Sequence, residues 1–150
     1  MSKNQKISEV QALFYKTVAE EVCSDFECGS LLDVGCGEGN LLFGIHRLAP
    51  GVFLTGIDIS PGIIRPGEER LKLMKGDVSA IPAESESFDR VVSTSAMHHF
   101  PNIERCFQEI YRVLKPGGQA LIYDWRKEAS YPEVWRTMHE WAFGKVRIFR

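Results

Sequence analysis

Leu31-Leu32-Asp33-Val34-Gly35-Cys36-Gly37-Glu38-Gly39-Asn40 decides how this chain is read. An apolar run reaches an acidic residue, breaks into alternating glycines, and resumes as an apolar pattern at helical spacing. That order predicts a buried strand feeding a glycine turn at the N-terminus of a helix. Glycine lets backbone approach a ligand closely, and a helix start presents unpaired N–H groups, so the turn is the expected seat of a nucleotide-like ligand.

Outward from that turn the chain alternates short apolar runs with helical patterns. Upstream, Ile7, Val10, Leu13, Phe14, Val18 and Val22 form a helical stripe over residues 6–24. Downstream, helix pattern runs from Asn40 to Leu48 and stops before Pro50-Gly51. Val52 to Ile57 is a second strand ending at Asp58, Leu71 to Lys75 a third ending at Gly76-Asp77, and Phe88 to Ser93 a fourth. Pro66-Gly67 interrupts any long helix between strands two and three. A helix over Asn102–Leu114 ends at Lys115-Pro116-Gly117-Gly118, Gln119 to Tyr123 is a fifth strand, and 132–143 is a final aromatic-rich helix. The fold class expected is α/β: a three-layer α-β-α sandwich with a mostly parallel sheet. A single domain spans 1–150, with an N-terminal helical cap over 1–29 and an α/β core over 30–150.

Bulk properties exclude several classes. One hundred and fifty residues, 44% hydrophobic and 25% charged, fit one soluble domain. A formal charge of -2 supplies no electrostatic case for nucleic acid, and the apolar runs are too short for a membrane span. The first six residues lead into a charged amphipathic stretch without an apolar signal core, which predicts a cytoplasmic protein. Cys23, Cys28, Cys36 and Cys106 lack metal-site spacing and read as reduced thiols, with no metal expected.

In open α/β sheets ligands lie beyond the carboxyl ends of the strands. Every strand here ends there in something polar: Asp33 with the glycines, Asp58, Asp77, Ser93-Thr94-Ser95, and Asp124. Asp also caps helices and opens turns, a structural reading that stays open for Asp77 and, less so, for Asp58. Asp58 lies 21 residues after Gly37, the separation that lets a second strand's end reach the ribose of a nucleoside bound at the first. Ile59 beside it suits the adenine face, and Asp77 with the Val78 backbone suits the ring edge. Dinucleotide sites read G-x-G-x-x-G, whereas this chain reads Gly35-x-Gly37-x-Gly39 followed by Asn40. Asp33 would also repel a diphosphate, and suits a ligand end bearing an amine and a positive centre.

Leu32-Asp33-Val34-Gly35-Cys36-Gly37-Glu38-Gly39 resembles the first motif of class I S-adenosylmethionine-dependent methyltransferases. Gly56-Ile57-Asp58-Ile59-Ser60 is similar to their second-strand acidic motif. Gly76-Asp77-Val78-x-x-Ile81-Pro82 and Ser87-Phe88-Asp89-Arg90-Val91 resemble the third and fourth, and Arg112-Val113-Leu114-Lys115-Pro116-Gly117-Gly118 the segment before strand five. The likeness covers about residues 31–124, in order. It implies S-adenosylmethionine as cofactor, with Gly35, Cys36, Gly37 and Gly39 around its methionine part and Asp33 placing its amino group. It implies Asp58 on the ribose hydroxyls, Ile59, Asp77 and Val78 around adenine, and Ser93 and Thr94 backbone beside the sulfonium. Asp89 begins strand four, away from the ligand, and is expected to be structural.

Methyl transfer from a sulfonium is a direct displacement, so the protein mainly aligns the reactants and excludes water. A base is needed only where the acceptor must lose a proton. His98 and His99 follow strand four and are the candidate catalytic groups; the structural alternative is that they cap or pack the next helix. By resemblance the first helix folds over the cofactor. Tyr15, off the apolar stripe, is its candidate cation–π contact, while Phe14 on the stripe reads as core. His46 and His139 read as ordinary helix positions, and Trp125, Trp135 and Trp141 as packing or substrate-side aromatics.

One departure stands out. Class I domains carry seven strands, and here the C-terminal strands of the usual seven are expected to be missing or incomplete. Residues 145–150 alternate and suffice for one strand, so strand five is either capped by it or left as an edge. Either a shortened domain or a homodimer completed through the exposed edge follows from that. The function expected is methyl transfer to a small-molecule acceptor, without nucleic acid or membrane. A non-catalytic S-adenosylmethionine or S-adenosylhomocysteine binding module and a nicotinamide-dependent oxidoreductase are the alternatives. Asp58→Ala is expected to abolish or greatly weaken cofactor binding in titration calorimetry, because the ribose hydroxyls lose their carboxylate. Wild-type affinity would refute that role.

Overall fold

The computed structural model describes residues 3–61, 69–125 and 143–149, with side-chain surroundings for 9–61 and 69–124. In chain order the elements are α1 (Lys3–Cys23), β1 (Cys28–Val34), α2 (Asn40–Leu48), β2 (Gly51–Asp58), β3 (Leu71–Lys75) and β4 (Phe88–Thr94). A 3-10 turn (Met97–His99), α3 (Ile103–Val113), β5 (Leu114–Trp125) and β6 (Phe143–Phe149) follow. The strands form one sheet in the order β3-β2-β1-β4-β5-β6. The first five run parallel to their neighbours, and β6 pairs antiparallel with β5. The chain is α/β, as its alternating pattern requires.

Helices cover both faces. Val18, Ala19 and Val22 of α1 and Leu41, Leu42 and Ile45 of α2 pack with Leu31, Val52, Leu54, Val92 and Leu121 of the sheet. Cys106, Ile110 and Val113 of α3 pack with Leu32, Val34, Ile57, Val91, Ala120 and Ile122 on the opposite face. Alternate residues of β1 therefore enter opposite cores, which is why its sequence reads as a continuous apolar run. Asp33 lies on the face shared with Leu31, toward α1 and α2.

Four sequence expectations are corrected. Leu13 is 50% exposed, and Ala19 takes its place in the seam, where a side chain at Gly44 would stand 3.3 Å from the Ala19 methyl. Two small residues let α1 and α2 approach closely, and hydrophobicity counting passes over both. Strand β1 begins at Cys28, inside the stretch assigned to the helical cap. Lys115-Pro116-Gly117-Gly118 does not separate α3 from a later strand: β5 starts at Leu114, and the four residues form an irregularity where pairing jumps from Phe88↔Leu114 to Arg90↔Gln119. Phe143 opens a strand rather than closing a helix; the remainder of that expected helix, with Trp135, His139 and Trp141, lies outside the described residues. The expected terminal strand is present as β6 and covers β5, so β5 is no exposed edge for a second copy.

The parallel pairing is pinned at the amino end of the sheet. Asp89 Oδ2 accepts from Ser30 N–H, Ser30 Oγ and Lys115 Nζ, each at 2.8 Å, which ties β1, β4 and β5 together. Arg90 Nη1 donates to the Val22 carbonyl at 2.7 Å and to Asp25 at 2.8 Å, fastening the end of α1 to β4. On the other face Glu109 of α3 accepts from Ile81 N–H and from Arg112, and Arg112 also donates to the carbonyls of Ile81 and Ala83. Hydrogen bonds from Arg112 hold the Glu109 carboxyl below the usual glutamate range. Its contribution is thus present above that range and is lost as pH falls through the lowered value. Glu109→Ala leaves Arg112 and the Ile81 amide without their acceptor and is expected to cost about 2–3 kcal/mol in urea unfolding near pH 7, with the deficit shrinking toward pH 3.

Candidate functional site

Strand order reverses at β1, whose neighbours are β2 on one side and β4 on the other, the point at which open α/β sheets carry a ligand crevice beyond their carboxyl ends. Asp33 lies at this point. It is 1% exposed, and its Oδ1 is buried without a hydrogen-bond partner among the described residues. Burial, and then the Asp58 carboxylate, push its pKa up to about 8. A buried carboxyl with an unused acceptor is costly unless a donor or cation reaches it.

The glycine turn wraps this carboxyl. Gly35 and Cys36 donate their N–H groups to the Ile57 carbonyl, at 2.8 and 3.1 Å, which holds the turn to β2. A methyl group at Gly35 would stand 2.5 Å from the Ala96 methyl and 3.1 Å from the Phe100 ring, so the segment after β4 rests directly on the turn. At Gly37 the backbone is left-handed, φ +51°, and a side chain there would meet none of the described residues within 4 Å. Backbone is thus bared to open space over the crevice. Gly39 caps the start of α2. Burial, with Asp33 and Asp58 nearby, raises the pKa of the Cys36 thiol far above its ordinary value; the group is inert packing within the turn.

Asp58 bridges strand two to the turn. Its Oδ2 accepts from Gly37 N–H and its Oδ1 from Ser60 N–H, both at 2.9 Å. Each carboxylate oxygen has a further lone pair, so both bonds leave capacity for hydroxyl donors. Ile59 is 72% exposed beside it. Asp77 is exposed; its Oδ1 accepts from the amide and hydroxyl of Ser79, whose hydrogen bonds lower its pKa. This turn-closing role is the structural reading of Asp77, and Oδ2 takes no part in it. The Val78 side chain enters the core beside Ile81, and α3 clamps the same loop through Glu109, Arg112 and an Arg105 bond to the Ser79 carbonyl. Sequence reasoning missed this clamp, because Glu109 reads as a solvent-facing helix position.

At the end of β4 the Ser93 hydroxyl is spent on the Val34 carbonyl, at 2.8 Å, and Thr94 is buried, which leaves their backbone as the part available to a ligand. Ser95 N–H donates to the Tyr123 carbonyl, turning the chain toward β5. His98 and His99 then lie with ring centroids 3.9 Å apart. Asp124 accepts from both the backbone and the ring of His98, a pairing that sequence reasoning did not foresee. The adjacency of β4 and β5, with Thr94 opposite Tyr123, is what brings them together.

Tyr15 is half-buried against the core formed by α1, α2 and the sheet. Burial, and then the Asp33 and Glu38 carboxylates, raise its phenol pKa. Phe14 packs beside it at 5.5 Å between centroids. A cleft of about 530 Å³ runs between α1 and α2 and includes Tyr15, Asn40 and Phe43. Of the residues expected at the site it takes in only Tyr15; the acidic groups converge at the sheet edge instead.

Comparison with known proteins agrees with this geometry. A family model described as a methyltransferase domain matches residues 32–122. A sterol 4-C-methyltransferase of Caenorhabditis elegans is 31% identical over 159 residues, 95% of this chain and 46% of that protein. A tRNA (carboxymethyluridine(34)-5-O)-methyltransferase of Mus musculus is 39% identical over 108 residues, 69% of this chain and 16% of that protein. Among solved structures, a candidate S-adenosyl-L-methionine-dependent methyltransferase of Methanococcus maripaludis superposes with a TM-score of 0.69 at 26% identity, covering 82% of this chain and 62% of that one. This chain belongs to the methyltransferase domain family. It spans about half the length of the sterol relative.

S-Adenosylmethionine is the methyl donor of that family. The residues present fit it: a buried carboxyl oxygen without a partner among the described residues suits its ammonium, bare backbone at Gly37 admits it closely, and Asp58 keeps lone pairs for hydroxyls.

Asp33 carries a pH signature. Between about pH 4 and 8 the folded chain holds a proton there that the unfolded chain has released. Stability therefore falls as pH rises through that window, and the contribution is gone above about 8. Asp33→Asn removes this slope and is expected to gain on the wild type toward pH 8 by at least about 1 kcal/mol, or about 2–4 °C in melting temperature. Thermal melts from pH 5 to 9 check it; a wild-type slope in the variant overturns the assignment.

Proposed function

We propose that this methyltransferase-domain protein transfers a methyl group from S-adenosylmethionine to a small-molecule acceptor. The observation that carries the reading is the Asp33 Oδ1, buried and without a partner among the described residues, beside a glycine turn that Asp58 holds from the end of β2. Asp33 takes the donor's ammonium, and the backbone of Gly35, Cys36, Gly37 and Gly39 encloses the methionine part. Asp58 accepts from the ribose hydroxyls. Ile59, Asp77 Oδ2 and Val78 backbone frame the adenine, the Ser93–Thr94 backbone flanks the reacting end, and the Tyr15 ring offers its face to positive charge. When bound, S-adenosylmethionine supplies a methyl group already activated on a sulfonium. The protein's part is to align the acceptor with that methyl and to keep water away.

A small acceptor is supported by the formal charge of -2, since no excess of cations draws a polyanion to the surface. The mouse relative, whose name specifies tRNA, makes RNA the second reading. Four free thiols fit a reducing cytoplasm, and among the described residues no helix is long and apolar enough to cross a membrane.

Titration calorimetry with S-adenosylmethionine, S-adenosylhomocysteine and NAD is expected to show binding of the first two and none of the third; preference for NAD overturns the reading. Methyl-labelled donor, offered with small-molecule extract and separately with tRNA, then identifies the acceptor class. Label entering only tRNA replaces the small-molecule acceptor. Donor binding with label entering neither class identifies a binding module.

A further inference from the structure

Beyond the donor site, the carboxyl edge holds one pair of chemical groups that methyl-donor binding does not use. Asp124, at the end of β5, grips His98 in a fork: Oδ2 accepts from the His98 backbone N–H at 2.9 Å, and Oδ1 lies 2.6 Å from ring Nδ1. The Asp124 side chain is 17% exposed and that of His98 39%, so the contact is sheltered while the ring still faces outward. The pair stands beside the donor turn, because Ala96 and Phe100, which bracket His98, lie against Gly35.

The fork has a direction. A carboxylate only accepts, so the 2.6 Å contact places the proton of a neutral ring on Nδ1 and leaves a lone pair on Nε2. The backbone bond fixes which carboxylate oxygen is left for the ring. His99 has no such partner among the described residues; its ring lies against His98.

We propose that Asp124 is a positioning residue that locks His98 in the Nδ1–H tautomer, so that Nε2 serves as the base for an acceptor that must give up a proton. The inference rests on the methyltransferase reading and narrows its substrate class to acceptors with an ionisable hydroxyl, ammonium or activated C–H group. In the step, the acceptor's electron pair takes the methyl carbon, and the former carbon–sulfur pair leaves with the sulfur. The acceptor's proton passes to Nε2, and the imidazolium formed is held against the Asp124 carboxylate.

Nitrogen-15 NMR of the full chain tests this without any acceptor. Long-range proton–nitrogen spectra at about pH 8.5, where an ordinary imidazole is neutral, report which ring nitrogen carries hydrogen. In the wild type His98 is expected to carry it on Nδ1. In Asp124→Asn the backbone N–H claims the amide oxygen, the NH₂ group faces Nδ1, and the ring proton moves to Nε2. Methyl transfer into the acceptor fraction is expected to fall about 10²–10⁴-fold in that variant. A wild-type ring protonated on Nε2, an unmoved tautomer in Asp124→Asn, or an acceptor with no proton to lose each overturns the proposal. The wild-type spectrum decides by itself if the variant does not fold. Calorimetry with S-adenosylmethionine on the same wild-type sample reports separately on the donor reading, so the two fail independently.

Discussion

Placing a carboxyl group at the buried end of the central strand costs free energy, and nothing within the described part of the protein offsets it at Asp33 Oδ1. The glycine turn, the Asp58 bridge and the half-buried Tyr15 are arranged around that group. The turn keeps side chains out of the space above it, and Asp58 holds the turn in place while setting a negative charge beside Asp33. A neighbouring anion raises the cost of ionising Asp33 further, so the buried carboxyl keeps its proton up to about pH 8. The proton held at Asp33 and the cost of burying its carboxyl thus share one electrostatic origin.

Much of this was legible in the chain because parallel sheets write themselves plainly. Strands buried on both faces give apolar runs, and their carboxyl ends fall at one edge, so the polar residue closing each run marks the site. The 21-residue step from Gly37 to Asp58, read as a reach to ribose, is realised as a hydrogen bond between the two. The misses have a common cause. Ala19, Glu109 and Asp124 are defined by partners distant in sequence: Gly44, Ile81 and His98. Periodicity reports which face of an element is apolar; it says nothing of which small residue lets two helices touch, or which acid a helix turns inward. Lys115-Pro116-Gly117-Gly118 misleads for the opposite reason. Its local chemistry is that of a stop, and strand pairing overrides it.

The two relatives described above differ in acceptor by name, one a sterol and the other a tRNA, yet both align with most of this chain. What is shared at this level is the donor half of the reaction. The His98 loop, by contrast, is fastened to β5 through Asp124 as well as resting on the glycine turn.

Strands β1 and β4 are neighbours in the sheet, although β2 and β3 intervene in the sequence. The ties that fasten them, such as Ser30 to Asp89 and Ser93 to Val34, each span 59 residues. Closing such a loop requires the conformational entropy to be given up before the contacts form, which makes this junction entropically costly to assemble. The crevice exists only once the junction has closed, so a chain caught before that point has its motifs but no site. A ligand bound across the seam then stabilises the folded state by mass action, and acts as a staple on a long-range contact.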